Sequence, residues 1–224
     1  MPEVPVNKPL GIFGGTFDPV HFGHLRLAEE AADRLSLAGV RWIPAGHPAL
    51  RDVPRVPAAQ RLEMVRLAIA DNPRFDLDAA EVETERPSYT VPTLERLRQT
   101  VTCGAHRSLV LLVGADVFSG LMGWHRWQSL FELAHIAVAH RPGFPVDPDS
   151  LPAVLGGIYR ERYSESPSVL AESSAGRIVN FSMTQLDISA TRIRAQLSNE
   201  RSARYLMPDT LLAYIQKHHL YLEK

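Results

Sequence analysis

The stretch GIFGGTFDPVHFGH, residues 11–24, sets four glycines and two histidines directly after an apolar run. Gly14 and Gly15 carry no Cβ, so the backbone there can come close to a phosphate. His21 and His24 lie three positions apart and share one face if a helix carries them. Three chemistries suit such a pair. It could ligate a metal, although no third ligand stands nearby and no H-E-x-x-H accompanies it. It could pack as buried imidazole. Above a glycine turn, it could instead donate hydrogen bonds to phosphate oxygens as charge develops on them. N–H groups of a helix starting near His21 and Phe22 would favour the same anion, and the neighbourhood suits this third reading best. The spacing matches neither G-x-G-x-x-G nor a P-loop ending in Gly-Lys-Ser/Thr.

These residues need a scaffold, and its outline is legible. LGIF, VRWI, RFDLD, SLVLLV, HIAVA and RIVNFS are short apolar runs of strand length. Between them, HLRLAEEAADRLSL, AAQRLEMVRLAIAD and VPTLERLRQTV repeat apolar residues every three or four positions. Strand alternating with amphipathic helix predicts an α/β fold with a doubly wound, mainly parallel sheet. In such a sheet the first strand-to-helix turn is the usual phosphate site, and residues 11–24 occupy it. DISATRIRAQL and PDTLLAYIQKHHLYL predict two C-terminal helices, the second opening at Pro208. Proline-rich residues 44–57 and 141–150 read as loops, and residues 151–176 have too little periodicity to place. No repeat and no composition shift divides the chain, which reads as a single domain over 1–224 with a C-terminal helical part from about 188 to 224.

Composition narrows the function classes. Across 224 residues, 24 Lys and Arg stand against 25 Asp and Glu, so no net field draws a nucleic acid or an acidic membrane surface. A single cysteine, Cys103, rules out an internal disulfide framework and fits a reducing, cytoplasmic setting. No run of about 18 apolar residues is present to cross a membrane. No Ser/His/Asp or Cys/His constellation is recognisable either.

The segment GGTFDPVHFGH resembles the G-x-F-D-x-x-H-x-G-H signature of the nucleotidylyltransferase superfamily, and ISATRIR at 188–194 resembles its second signature, I-S-x-T-x-x-R. IPAGHPALR, RLEMVRLAIAD, ERPSYTVPTL, LVGADVF followed by GWHRW, and AVAHRPGFP resemble, in order and spacing, the bacterial nicotinate-nucleotide adenylyltransferases. The likeness runs from about residue 8 to residue 222. It implies a Rossmann-like nucleotidyltransferase fold and a reaction joining nicotinic acid mononucleotide to ATP, with Mg²⁺ carried by the triphosphate, to give deamido-NAD and pyrophosphate. Partners would then be small molecules, with homo-oligomer formation left open and neither nucleic acid nor membrane involved.

Roles follow as the resemblance implies them. His21, His24 and Arg194 would act on the ATP phosphates as charge moves. Gly14, Gly15, Thr16 and Phe17 would shape the turn that holds the triphosphate, and Ser189 and Thr191, at a helix start, would meet its outer phosphates. A capped helix with exposed arginines is the plain alternative for that second motif. Asp116 would accept from a ribose hydroxyl, or else cap a helix. Ser88, Tyr89 and Thr90 would offer backbone N–H groups to the nicotinate carboxylate. Trp124 would stack on the pyridine ring, unless it is core beside Trp127 and Leu130. The chain departs from the family's P-P-H-K loop by reading HPALR, with Leu50 and Arg51 for the His and Lys. Arg51 would keep the charge with altered geometry, or be a solvated surface residue. The nearest rivals are a nicotinamide-preferring enzyme, a pantetheine-phosphate relative, a non-catalytic nucleotide sensor and an NAD-dependent oxidoreductase.

Overall fold

The computed structural model describes residues 8–50, 52–100 and 106–222. The apolar runs become strands: β1 (Leu10–Gly15), β2 (Gly39–Pro44), β3 (His47–Pro48), β4 (Phe75–Leu77), β5 (Pro87–Ser88), β6 (Leu109–Gly114), β7 (His135–His140), β8 (Tyr163–Ser164) and β9 (Ile178–Ser182). The helices are α1 (Phe22–Arg34), α2 (Ala58–Ile69), α3 (Thr90–Gln99), α4 (Ala115–Ser119), α5 (Leu130–Leu133), α6 (Ala153–Arg162), α7 (Ala190–Ser198) and α8 (Asp209–Lys217). Seven strands form one sheet in the order β4-β2-β1-β6-β7-β9-β8, while β3 and β5 pair separately. The pairs β1–β6, β6–β7, β7–β9 and β8–β9 are parallel, as the alternation of strand and helix predicts.

The chain resolves into two compact units. The first takes in the described residues up to Phe13, Ala28–Arg41 and Tyr89–Thr184. Its core is the run Leu109–Val113 on β6 and Ile136–Ala139 on β7, all at most a few per cent exposed, with Ile178, Val179 and Phe181 of β9. Both faces of β6 and β7 are apolar, which is the signature of a strand buried within a parallel sheet. Glu30 on α1 is buried, and its carboxylate accepts from the Thr184 N–H just past β9. Before β6 and β7, the Arg98 guanidinium donates to the carbonyls of Arg107, Leu133 and Ser174, tying three loop ends to α3.

The second unit takes in Gly14–Leu27, Trp42–Ser88 and the described residues from Gln185. It packs α8 against α2; Leu211, Leu212 and Ile215 are buried on α8, and Arg61, Met64, Val65 and Ile69 on α2. Trp42 is fully buried between the Phe17 and Phe75 rings.

Residues 151–176, unplaced by periodicity, hold α6, β8 and a 3₁₀ turn at Pro167–Ala171. Two glycines weaken the helical pattern of α6. One of them is required, because a Cβ on Gly156 would stand 2.6 Å from the Pro148 carbonyl oxygen. The stretch 44–57 is not wholly loop: it contains β3, whose Pro48 is tolerated because the two-stranded sheet is all edge. Among the described residues, no helix is long and apolar enough to cross a membrane.

Candidate active site

Within the second unit, β1 delivers the chain into a turn at Thr16–Val20 and then into α1. Gly14 is exposed, and a Cβ there would meet only the Ile43 carbonyl at 3.9 Å, so its backbone is approachable. Gly15 is different. A Cβ at that position would press on the Phe17 ring at 2.9 Å. Phe17 has φ 50°, a left-handed conformation costing a non-glycine residue about 1 kcal/mol or more, and it turns its ring inward to be only 3% exposed. The ring meets His24 edge-on at 5.2 Å.

Four anchors set this turn. The Asp18 carboxylate, 6% exposed, accepts from the Arg55 N–H at 2.8 Å and from the Tyr221 hydroxyl at 2.7 Å. Burial, reinforced by the Asp18 charge, pushes the Tyr221 phenol well above its ordinary pKa, so it stays a donor. Arg61, 1% exposed, donates to the carbonyls of Thr16 and Ala45 through Nη1, Gly46 through Nη2 and Val56 through Nε. Burial lowers the Arg61 pKa, opposed by Asp18, but a guanidinium remains charged at any working pH. Arg194 on α7 completes the set by donating to the Asp18 carbonyl at 2.7 Å.

The histidines sit where α1 begins. His21 and His24 stack with ring centroids 3.8 Å apart and planes inclined by 27°. The His21 N–H points to Nδ1 of His24 at 3.3 Å, as the third residue of a capping box reaches back to its cap. That contact assigns the His24 proton to Nε2. Burial holds the His21 imidazole at a pKa of about 4, against an ordinary 6.5. His24 is held well below its ordinary value, by burial first and by His21 second. Two neutral rings result, with Nδ1 of His21 buried and without a hydrogen-bond partner among the described residues. The glycine between them keeps close quarters: a Cβ at position 23 would lie 3.0 Å from the His21 ring, which would have to give way slightly, and 3.6 Å from the Ile188 carbonyl.

One expectation is corrected here. The N–H groups of His21 and Phe22 are not available to an anion, because His24 Nδ1 and the Leu206 carbonyl already accept from them.

The second motif arrives at the same place. Ser189 caps α7, its Oγ accepting from the Arg192 N–H at 3.3 Å, and Thr191 is exposed in the first turn with its Oγ1 accepting from Nη2 of Arg194. The bond from Arg194 to Asp18 and the approach of Ile188 to Gly23 bring the two signatures together. Imidazole and hydroxyl donors, a guanidinium and a helix N-terminus thus converge, an arrangement suited to a polyphosphate. Ser88, also in this unit, pairs in β5 with Pro48, and its Oγ accepts from the His47 N–H. Arg51 lies outside the described residues, and its neighbour Leu50 is exposed.

The first unit holds the other expected residues. Tyr89 occupies the cap position of α3, which begins at Thr90, and no side chain caps that end. Asp116 is exposed in the first turn of α4 and does not cap it; Gly114 holds that position, and a Cβ there would strike the Asp116 carboxylate at 2.6 Å. Trp124 is half-buried, outside any regular helix and not in the core. Among the described residues, no three His, Cys, Asp or Glu side chains cluster to hold a metal ion. Asp18, Arg61 and Tyr221 are the participants that spacing does not announce. Asp18 falls inside the first signature but reads as part of a turn, Arg61 resembles a surface residue of α2, and Tyr221 lies in the turn after α8.

Comparisons with known proteins bear on this arrangement. The cytidylyltransferase-like family model matches residues 12–196. A Dechloromonas aromatica protein named probable nicotinate-nucleotide adenylyltransferase is 63% identical over 216 residues, covering 96% of this chain and 99% of that relative. A Hydrogenovibrio crunogenus protein of the same name is 46% identical over 215 residues, covering 96% and 98%. Among solved structures, Plasmodium falciparum nicotinic acid mononucleotide adenylyltransferase complexed with NaAD shares the fold with a TM-score of 0.70, at 14% identity, over 96% of this chain and 97% of that one. With both signatures joined in one site and relatives matched over nearly their whole length, the chain belongs to the cytidylyltransferase-like superfamily and, within it, to the nicotinate-nucleotide adenylyltransferase family.

Proposed function

We propose that this chain transfers the adenylyl group of ATP to nicotinic acid mononucleotide, giving deamido-NAD and pyrophosphate, as a cytoplasmic enzyme of NAD biosynthesis. The observation that carries the reading is the convergence of the stacked neutral pair His21 and His24 with Arg194 and the α7 N-terminus. Adenylyl transfer needs no protein nucleophile, since the mononucleotide phosphate is already ionised and attacks the α-phosphorus itself. The protein has to align two phosphates and disperse the charge of the transition state.

In this reading His24 donates from Nε2 to an oxygen of the reacting phosphate, and His21 from its own ring N–H. Neutral imidazoles suit the task, because they donate to developing charge without a proton having to be gained first. Gly14, Gly15, Thr16 and Phe17 form the backbone wall of the triphosphate site. Ser189 and Thr191 meet the departing pyrophosphate with their hydroxyls, and Arg194 and Arg51 supply positive charge. Mg²⁺ enters with ATP as part of the substrate, neutralising the triphosphate. For the acceptor, Ser88, Tyr89 and Thr90 present backbone N–H groups to the nicotinate carboxylate, Trp124 stacks on the pyridine ring and Asp116 accepts from a ribose hydroxyl.

The test is pyrophosphate release from the purified protein with ATP and Mg²⁺, with nicotinic acid mononucleotide and nicotinamide mononucleotide compared side by side. Strong preference for the acid is the expected result. Equal use would keep the reaction and discard the carboxylate role of residues 88–90. No release with either, from folded protein, would sink the proposal. Chelation of the divalent ion should abolish turnover.

A further inference from the structure

Between the single 3₁₀ turns Leu121–Gly123 and Trp127–Ser129 lie only three residues, Trp124, His125 and Arg126. Trp124 is extended, at φ −80° and ψ 146°, whereas Arg126 is left-handed, at φ 52° and ψ 36°. Glycine would take that conformation without strain, and asparagine could offset it locally. Arginine does neither, so the conformation costs roughly 1–2 kcal/mol that outside contacts can offset. Glu95 of α3 supplies one: Nη2 of Arg126 lies 2.8 Å from Oε1, and Nη1 lies 3.2 Å from Oε2. One residue earlier, the His125 ring packs on Tyr89 with centroids 4.6 Å apart. The segment carrying Trp124 is therefore docked twice on α3, the helix whose first residue is Thr90.

Stability is a poor explanation for this arrangement. The ion pair is roughly half exposed on both sides, and pairs of that kind add little to folding. A two-pronged guanidinium–carboxylate contact is nevertheless directional, and it fixes orientation where a lone charge would not. A strained residue kept in place by specific partners is a mark of a functional constraint.

We propose that Arg126 and Glu95 are positioning residues that hold the Trp124 indole in register with the N-terminus of α3, so that platform and carboxylate donors engage one pyridine ring together. The proposal deepens the function given above and rests on Trp124 being the ring platform. It makes acceptor recognition depend on two residues that touch no substrate.

The experiment measures steady-state constants for Glu95→Gln, Arg126→Gln, the double variant and the reversed pair Glu95→Arg with Arg126→Glu, with Trp124→Ala alongside. Each single variant should raise KM for nicotinic acid mononucleotide about fivefold, with kcat, KM for ATP and Tm nearly unchanged. The double variant should be no worse than either single one, and the reversed pair should recover part of the loss. A purely structural contact would instead lower Tm and shift all constants together, which would overturn the proposal. So would an unchanged acceptor KM in both singles while Trp124→Ala raises it, leaving the ring platform intact. If Trp124→Ala has no effect on that KM, the platform reading itself falls, and the positioning role with it.

Discussion

The glycine turn at 16–20 and the Trp124 segment both suspend side chains proposed to meet substrate on irregular backbone with a strained residue, Phe17 in one and Arg126 in the other. They are secured by opposite means. The turn is gripped from inside: Asp18 and Arg61 are almost wholly buried, and most of the atoms they bind are backbone carbonyls and N–H groups. The Trp124 segment is gripped from outside, by an exposed ion pair and an aromatic contact between side chains. The contrast follows the chemistry. Phosphate alignment tolerates little displacement, and buried charge bonded on every side gives rigidity at the cost of vulnerability. A flat ring would be held over a broad area by stacking, so the platform proposed at Trp124 can rest on weaker, directional contacts.

The comparison breaks most visibly at Arg61. Replacing it by Met leaves the carbonyls of Thr16, Ala45, Gly46 and Val56 without their donor. A loss of at least about 3 kcal/mol is expected, read as a lower urea midpoint, together with loss of turnover. A well-folded, active Arg61→Met would mean that the turn does not depend on its buried anchor. His24→Ala should leave the fold intact, at a cost of about 1 kcal/mol for the lost acceptor of the His21 N–H, and lower kcat by about 100- to 1,000-fold, the scale of one lost transition-state donor; normal turnover would remove this ring from the reaction.

Acidity probes the same turn. Between the ordinary pKa of 6.5 and the folded value of about 4 for His21, the unfolded chain takes up a proton that the folded protein refuses. The stability is therefore complete above about pH 6.5 and declines as pH falls toward 4, by up to roughly 3 kcal/mol for this ring. His21→Asn should flatten the fall in urea midpoint only in part, because His24 is shifted in the same direction. A slope identical to wild type would show that His21 is not the group excluded from protonation. The smallest effect belongs to the other region. Trp124→Ala should raise KM for the pyridine nucleotide about tenfold, a stacking contribution, with Tm and KM for ATP hardly moved. A large fall in Tm would place Trp124 in the core and erase the distinction between the two regions.

The sheet and its main helices were readable because apolar periodicity reports burial directly, and the strands β1, β2, β4, β6, β7 and β9 fall on the runs that show it. The first signature was readable because His21, Gly23 and His24 meet one another along the chain, the nearest atoms to a Cβ on Gly23 being those of the His21 ring. Arg61 was not readable. In RLEMVRLAIAD it has the look of a solvated helix residue, and only the fold reveals that its turn of α2 faces inward. The bond from Tyr221 to Asp18 spans 203 positions, and no local pattern encodes such a partner. The N–H group of Phe22 was misread for the same reason, since its acceptor is Leu206, whereas the His21 N–H is taken by its near neighbour His24.

That long reach has a consequence for biosynthesis. At roughly 5–20 residues added per second, about 10 to 40 seconds separate the appearance of Asp18 from that of its partner 203 positions on. During that interval the signature sequence has left the ribosome, but its last latch does not yet exist. A nascent chain can therefore display the glycines and histidines without a finished turn, and the proposed nucleotide site would wait on the synthesis of Tyr221.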